Sequence, residues 1–401
     1  MDSETSRLAQ KSPRGGSQRA LRETNTRLVL GCLAEFGELT QAELARRSGV
    51  STSTVSNIVS DLDKTGVIVR DAGASGRRGQ VVRLAPSTGY VAGIDIGHRH
   101  MRVALSARDR RVVAEERVPL PNQHSHTMVA PLISKSIDRL VADTGARRSQ
   151  ISVAGMAFPA AIDTTTGELL TPSILPGWSR IDIAATLSQA LGLTVYVDND
   201  ANLGAIAEQR QGAARGASDV VYLKLSDGVG AGIITGGRLL RGSDGTAGEM
   251  GHTMINSADT VCRCGNRGCL ETLVSTRRVL SLLEPIHGAN LTIAQVVEAA
   301  RSGDHACGRV LGDVGRTVGV AVANVCNILN PALVVVGGEL ALGEDLLLDP
   351  MREVVMRNAM PGVTRNLTIR SAQLGGRAQL VGALSIALRA APLPVPIGAK
   401  R

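Results

Sequence analysis

The chain has 401 residues, a formal net charge of +8 and 43% hydrophobic residues, yet only one Trp, three Tyr and two Phe. Length predicts two or three domains, and the apolar content excludes global disorder. No apolar run approaches the ~20 residues of a membrane helix, the polar N-terminus lacks a secretory apolar region, and scarce aromatics argue against recognition of single strands by base stacking. The expected setting is cytoplasmic and reducing, with no membrane partner. Half the excess charge falls in residues 1–85, with 13 basic and 9 acidic side chains. That asymmetry invites nucleic acid, although a solvated basic surface is the bland alternative.

Residues 1–20 read as a flexible polar arm, and residues 21–86 as a winged helix-turn-helix. A first helix from Asn25 to Gly37 shows Leu28, Leu33 and Phe36 as one apolar face. A second opens at Thr40, with Glu43 completing a capping box and Leu39 against Leu44 as a hydrophobic staple. It stops near Ser48-Gly49. The cap then repeats at Ser51, and a third helix to about Lys64 buries Val55, Ile58, Val59 and Leu62 at helical spacing. Two short capped helices across a tight turn make a helix-turn-helix. The third helix turns Thr52, Ser53, Thr54, Ser56 and Asn57 outward, short polar groups suited to phosphates and base edges in a major groove. Segments Val67–Arg70 and Gln80–Leu84 alternate as wing strands around a tip with Arg77 and Arg78, placed for a minor groove or flanking phosphates. A three-helix protein-docking module is the alternative.

Near Tyr90 the texture changes to apolar strands and glycine turns, and residues 88–390 read as one large α/β region. A meander (Val91–Ile96, Arg102–Ala107, Arg111–Val118), a helix from about Thr127 to Thr144 and strand Ile151–Phe158 come first. A short strand then delivers Asp198-Asn199-Asp200 at its C-terminal end, where ligands bind in α/β sheets. A second cycle begins with Val220–Leu225, a glycine loop at 226–232 and strand Ile233-Ile234. After helical residues 272–330, strand Ala332–Val336 ends in Gly337-Gly338, and a helix from Ala378 to Leu388 leads to a C-terminal tail, 391–401. Two successive cycles suggest a duplicated, two-lobed domain with a cleft between the lobes.

The densest chemistry is in Gly248–Glu271, GEMGHTMINSADTVCRCGNRGCLE. Half of the six cysteines lie within eight of its residues. His252, Cys262, Cys264 and Cys269 are the ligand types of a closed tetrahedral zinc site, and Gly265 and Gly268 allow a tight knuckle. A disulfide pair is the alternative, and a reducing compartment disfavours it.

These motifs together resemble the ROK family (repressors, open reading frames and sugar kinases) over roughly residues 88–390: GEMGH at 248–252, CRCGNRGCLE at 262–271, DNDAN at 198–202, Leu175-Pro176-Gly177-Trp178, and Asn330-Pro331 before Gly337-Gly338. The resemblance implies a two-lobed actin-like sugar-kinase (ribonuclease H-like) fold with a structural zinc knuckle held by His252, Cys262, Cys264 and Cys269. It also implies a sugar held against Asn199, Asp200, Glu249, His252 and Glu271. The chemistry agrees, because carboxylates accept hydrogen bonds from neighbouring hydroxyl pairs. Helix-end or surface carboxylates are the alternative for Glu249 and Glu271, and capping of the next helix is the alternative for Asp198. In the kinase branch the residue matching Asp200 is the base. Both phosphate elements depart from the kinase pattern, with Asp95-Ile96-Gly97-His98-Arg99-His100 at the first and Asp227 in place of the usual Thr at the second. A carboxylate beside a phosphate repels it by ~1 kcal/mol at 4 Å in water, and more when buried. His98 and Arg99 keep phosphate binding open, and Ala160, where the family commonly has Gly, leaves the ligand's identity open. The expected protein is a non-enzymatic, sugar-responsive repressor of carbohydrate genes. It is expected to act as a homodimer or homotetramer on a palindromic double-stranded operator; a sugar kinase with an accessory DNA-binding domain is the alternative.

Overall fold

The computed structural model describes residues 18–72, 80–86, 89–256 and 260–394, and the chain divides into two compact units. Unit one spans Met1–Thr88 with Pro392–Arg401, and unit two spans Gly89–Ala391. Arg77, Arg78 and residues 1–17 lie outside the described residues.

Unit one contains α1 (Gln18–Phe36), β1 (Leu39–Thr40), α2 (Gln41–Ser48), α3 (Thr52–Lys64), β2 (Ile68–Ala72) and β3 (Gln80–Leu84). Local chemistry sets the helix ends. The Thr40 hydroxyl accepts from the Glu43 N–H while the Glu43 carboxylate accepts from the Thr40 N–H, and Gly49 closes α2 in the left-handed region. Ser51 caps α3, whose Val55, Ile58, Val59 and Leu62 are buried as the spacing predicts. The face of α1 differs from expectation. Val29, Leu30, Leu33 and Ala34 form its buried stripe, whereas Leu28 and Phe36 are 46% and 42% exposed. Apolar residues occur on more than one side of this helix, so periodicity alone chose the wrong edge. Phe36 instead carries the Arg47 guanidinium 4.0 Å from its ring centroid, a cation–π contact at a solvated edge. The wing pairs β2 with β3 in antiparallel register, and β1 adds a short third strand through Leu39 and Val82. Leu393 packs against this core.

Unit two is built on two five-stranded sheets of the same design. The first orders β6 (Val112–Pro119), β5 (His100–Ala107), β4 (Tyr90–Ile96), β7 (Ile151–Phe158) and β8 (Thr194–Asn199). The second orders β11 (Arg238–Leu240), β10 (Val229–Thr235), β9 (Val220–Leu225), β12 (Leu333–Gly337) and β13 (Thr368–Ser371). In each, an antiparallel meander is followed by two parallel additions. Helices α4 (His126–Thr144) and α5 (Ile183–Leu191) serve the first sheet. The second carries α7 (Leu270–Val274), α8 (Thr276–His287), α9 (Ile293–Arg301), α10 (His305–Leu329), α11 (Asp345–Asn358) and α12 (Pro361–Thr364).

Helices α6 (Asp200–Gln211) and α13 (Ala378–Ala390) pack on each other between the two halves, closely enough that a Cβ on Gly382 would meet the Leu203 carbonyl at 2.1 Å. The glycine stretch 226–232 is mostly strand, not loop: only Ser226–Gly228 turn, and Val229–Gly232 belong to β10. Gly232 admits α6, since a Cβ there would lie 2.5 Å from the Ala201 carbonyl oxygen. Among the described residues no helix is long and apolar enough to cross a membrane.

Candidate functional site

A narrow recess opens where the two halves meet. Its lining includes His98, Ala160, Asn199, Asp200, Lys224, Glu249, His252, Arg263 and Glu271. A roomier open groove between α4 and α5, beside His126, Lys135 and Thr186, lacks converging carboxylates. The cleft is therefore the chemically equipped recess, and all five residues expected at a sugar line it.

The first half contributes through strand ends. β8 ends at Asn199, whose side-chain oxygen accepts from the N–H groups of Ala201 and Asn202 and so caps α6. The cap is Asn199 rather than Asp198, and its amide NH2 is what it can offer a ligand. Asp198 accepts from the Asn199 N–H and Asn202 Nδ2 and meets Arg241 at 2.6 Å. Asp200, at the first position of α6, is 6% exposed and pairs with Lys224 Nζ at 2.5 Å. Burial pushes the Asp200 carboxyl up against the pull of Lys224. Burial would lower Lys224, but the Asp200 charge holds it above its ordinary value. His98 lies in the cleft; burial, then the neighbouring Arg263, hold it down to about 3, so near neutral pH it is an uncharged ring. Arg99 is exposed and is not part of the lining.

Behind His98 runs a buried chain of hydrogen bonds. Trp178 Nε1 donates to His124 Nδ1 at 3.0 Å, and His124 Nε2 lies 2.9 Å from the Gly97 carbonyl. An indole N–H only donates, so Nδ1 of His124 is the acceptor and Nε2 carries the proton. The Pro176-Gly177-Trp178 turn thereby holds the Gly97-His98 loop.

The second half contributes an irregular knuckle. Glu271 lies in the first turn of α7, accepting from the Val229 N–H at 3.1 Å and from Arg263 Nη2 at 3.2 Å. Arg263 also donates to the Asp227 carbonyl. Glu249 is pushed up to about 7 by burial and by the charges of Asp200 and Glu271. His252 presents Nδ1 to Cys262 Sγ at 3.5 Å and Nε2 to Glu249 at 3.6 Å. The imidazole thus joins the thiol cluster on one side and a cleft carboxylate on the other. Donor atoms of His252, Cys262, Cys264 and Cys269 all lie within 4.8 Å of one another. Cys264 and Cys269 sulfurs are 3.7 Å apart, a contact and not a bond, and the six cysteines are free thiols. Gly268 makes the turn possible: its φ is +66°, and a Cβ there would lie 1.9 Å from the Asn256 carbonyl oxygen. Burial and the neighbouring thiols push Cys269 up to about 12, so without a cation beside it this group stays a thiol near neutral pH. Three thiols and one imidazole converging this closely fit a metal ion.

Two contributors escaped the sequence reading. Lys224 sits inside the apolar run VVYLKL, where a lone lysine in a buried strand was the available signal. Arg263 stood between two cysteines as an apparent spacer.

On α3, Thr52, Ser53, Ser56 and Asn57 are exposed, while Thr54 is half-buried with its hydroxyl 2.8 Å from Ser51 Oγ. Thr54 thus belongs to the cap, leaving four residues on the open face.

A winged helix-turn-helix and a two-lobed α/β unit of the sugar-kinase kind, carried on one chain, define the class. The ROK family model matches residues 91–390 and a MarR family model matches residues 25–79. The chain belongs to the ROK family. It is 30% identical over 390 residues to the xylose repressor of Caldicellulosiruptor bescii, covering 93% of this chain and 97% of that protein. A crystal structure of a ROK family transcriptional regulator, a homologue of the E. coli MLC protein, superposes with a TM-score of 0.73 at 21% identity, over 92% of this chain and 97% of that one. A ROK family glucokinase from Streptomyces griseus, in complex with glucose and AMPPNP, gives 0.65 at 28% identity over 75% of this chain and 99% of its own.

Proposed function

We propose that this protein is a DNA-binding transcriptional regulator, a repressor of carbohydrate-utilisation genes that leaves its operator when a sugar enters the cleft. The observation that carries the reading is the union in one chain of a capped α3 with four open polar residues and a cleft carrying Asp200, Glu249 and Glu271. Likeness to a xylose repressor across both units supports it. Asn199, Asp200, Glu249, His252 and Glu271 hold the sugar, their carboxylates accepting from adjacent hydroxyls. Thr52, Ser53, Ser56 and Asn57 meet the major groove, with Thr54 supporting the cap and the wing arginines Arg77 and Arg78 on the backbone. A symmetric dimer or tetramer matches a palindromic operator. Sugar binding lowers operator affinity through a coupling of ~1–3 kcal/mol.

Zinc is the metal assigned to His252, Cys262, Cys264 and Cys269, because three thiols and one imidazole are a donor set that suits it. When bound it supplies structural rigidity. The chain's own His252 then orients Glu249, and Arg263 orients Glu271, so both carboxylates stand fixed at the cleft edge.

The second reading is a sugar kinase with an accessory DNA-binding unit, favoured by Asp200 standing in the position of a base and by the glucokinase likeness. Against it, Asp227 carries a carboxylate beside the turn expected to cradle phosphate, and His98 is uncharged near neutral pH. Selection of bound duplexes from a random pool, at physiological salt and with and without a sugar panel, tests the first reading. A palindrome released by one sugar is expected; no preference over random duplex overturns it. ADP release over the same panel, abolished by Asp200→Asn, would establish the kinase instead.

A further inference from the structure

We propose a second metal site, remote from the cleft, formed by His287 at the end of α8 with Asp304 and Cys307 at the start of α10. It takes a divalent transition metal of the zinc class. His287 Nε2 lies 3.3 Å from Asp304 Oδ2 and 3.5 Å from Cys307 Sγ. The three donor atoms are all within 4.8 Å of one another. Metal–nitrogen and metal–oxygen bonds of ~2.0 Å and a metal–sulfur bond of ~2.3 Å, at tetrahedral angles, give donor edges of about 3.3 Å for N···O and about 3.5 Å for N···S. The two edges from His287 are compatible with one shared ion, and the third, from Asp304 to Cys307, lies within 4.8 Å.

The surroundings suit three protein ligands with one open position. Cys307 is fully buried, whereas the His287 and Asp304 side chains are 23% and 30% exposed, leaving the outer side to water. Asp304 Oδ1 accepts the Cys307 N–H at 2.9 Å. That bond fixes the carboxylate and leaves Oδ2 facing the imidazole. A carboxylate at the N-cap of α10 and a thiolate in its first turn also sit where the helix dipole favours anions. The thiol selects a borderline-soft ion such as Zn2+ or Co2+ over Mg2+ or Ca2+. None of the three residues lines the cleft or belongs to the knuckle. The ion would clip the two ends of the segment carrying α9, so its role is to fasten the second half of unit two.

The test is metal analysis of the full-length protein after equilibration with buffered Zn2+ and removal of free ion, comparing wild type, His287→Gln and Cys307→Ser. The proposal expects each variant to carry one equivalent less than wild type. It also expects added Zn2+ to raise the melting temperature of wild type more than that of either variant. Equal metal content in wild type and His287→Gln, whose side chain is partly exposed and whose loss leaves the core intact, overturns it. The readout is a difference, so the knuckle's own occupancy adds equally to both sides and that reading stands or falls separately. Should Cys307→Ser fail to fold, His287→Gln decides alone.

Discussion

The two halves of unit two share one strand order and build their sides of the cleft by different means. The first presents Asn199 and Asp200 where β8 runs into α6, so their placement follows from sheet register and a helix cap. The second presents Glu249, His252 and Glu271 from a segment whose described residues belong to no sheet and are crossed by isolated bridges such as Met254 with Cys269. Register and core packing hold the first half in place. Order in the second draws on irregular backbone bonds, such as Leu270 N–H to the Thr253 carbonyl and Ile255 N–H to the Gly268 carbonyl, together with side-chain links: the Arg263–Glu271 pair, the His252–Glu249 contact and the thiol cluster. Identical topology can therefore deliver residues with very different dependence on non-backbone interactions.

The largest expected effect lies where the halves meet. Lys224 from β9 pairs with Asp200 from α6 in nearly complete burial. Removing one member of a buried pair leaves an uncompensated charge and costs about 3–5 kcal/mol. Lys224→Met should destabilise by that order in denaturant unfolding, and adding Asp200→Asn should recover most of the loss. If the double variant is no more stable than the single one, the lysine acts by packing and not by charge.

Next is the knuckle. Cys264→Ser should lose its metal and weaken sugar binding by ~10–100-fold, the usual scale for disturbed support of a site, while operator binding without sugar persists. Calorimetry with the inducing sugar and metal analysis on the same sample check this. A metal-free variant with wild-type sugar affinity would show that the irregular half holds its carboxylates without help.

How much of this was legible in the sequence depended on whether the determinant was local. Thr40 with Glu43, and Ser51, mark helix starts by their own chemistry, and both caps are present. The order of motifs from Asp198 to Glu271 also survived into space, because all the expected sugar residues meet in one recess. Failures arose where a distant partner decides. Glycines at 230 and 232 look like loop until α6 is laid across them, and Leu28 and Phe36 look like core until the wing and α2 choose a face. Lys224 and Arg263 acquire meaning only from Asp200 and Glu271, which lie in other elements. Residue type alone does not carry such pairings.

A smaller, pH-dependent effect separates the halves again. His98 and His124 both belong to the first half, and burial lowers both below the ordinary ~6.5 of histidine. The unfolded chain therefore binds more protons than the fold below that value. Their contribution to stability is present above pH ~6.5 and is lost as pH falls from there, for His98 down toward about 3. Glu249, raised to about 7, works in the opposite sense as it takes up its proton, so the histidine effect is read as a difference between two proteins. The melting temperature of His124→Gln should lie below that of wild type at pH 7.5, with the gap narrowing toward pH 5, and a constant gap would remove His124 from the account.

The smallest effect is expected at the solvent edge of the first half. Arg241 meets Asp198 at 2.6 Å, but the arginine is 44% exposed, and such pairs contribute about 0–1 kcal/mol. Asp198 also keeps its bonds from the Asn199 N–H and Asn202 Nδ2, so it stays in position without the arginine. Arg241→Ala should change sugar affinity less than about fivefold. Arg263, only 21% exposed, is a different case, because its loss leaves Glu271 facing Glu249 without a counter-charge. Arg263→Ala should therefore weaken sugar binding more than Arg241→Ala, as titration of both variants with one sugar would measure. Equal losses would mean that the strand-end half also depends on side-chain links at its rim, and the contrast between the halves would then reduce to burial alone.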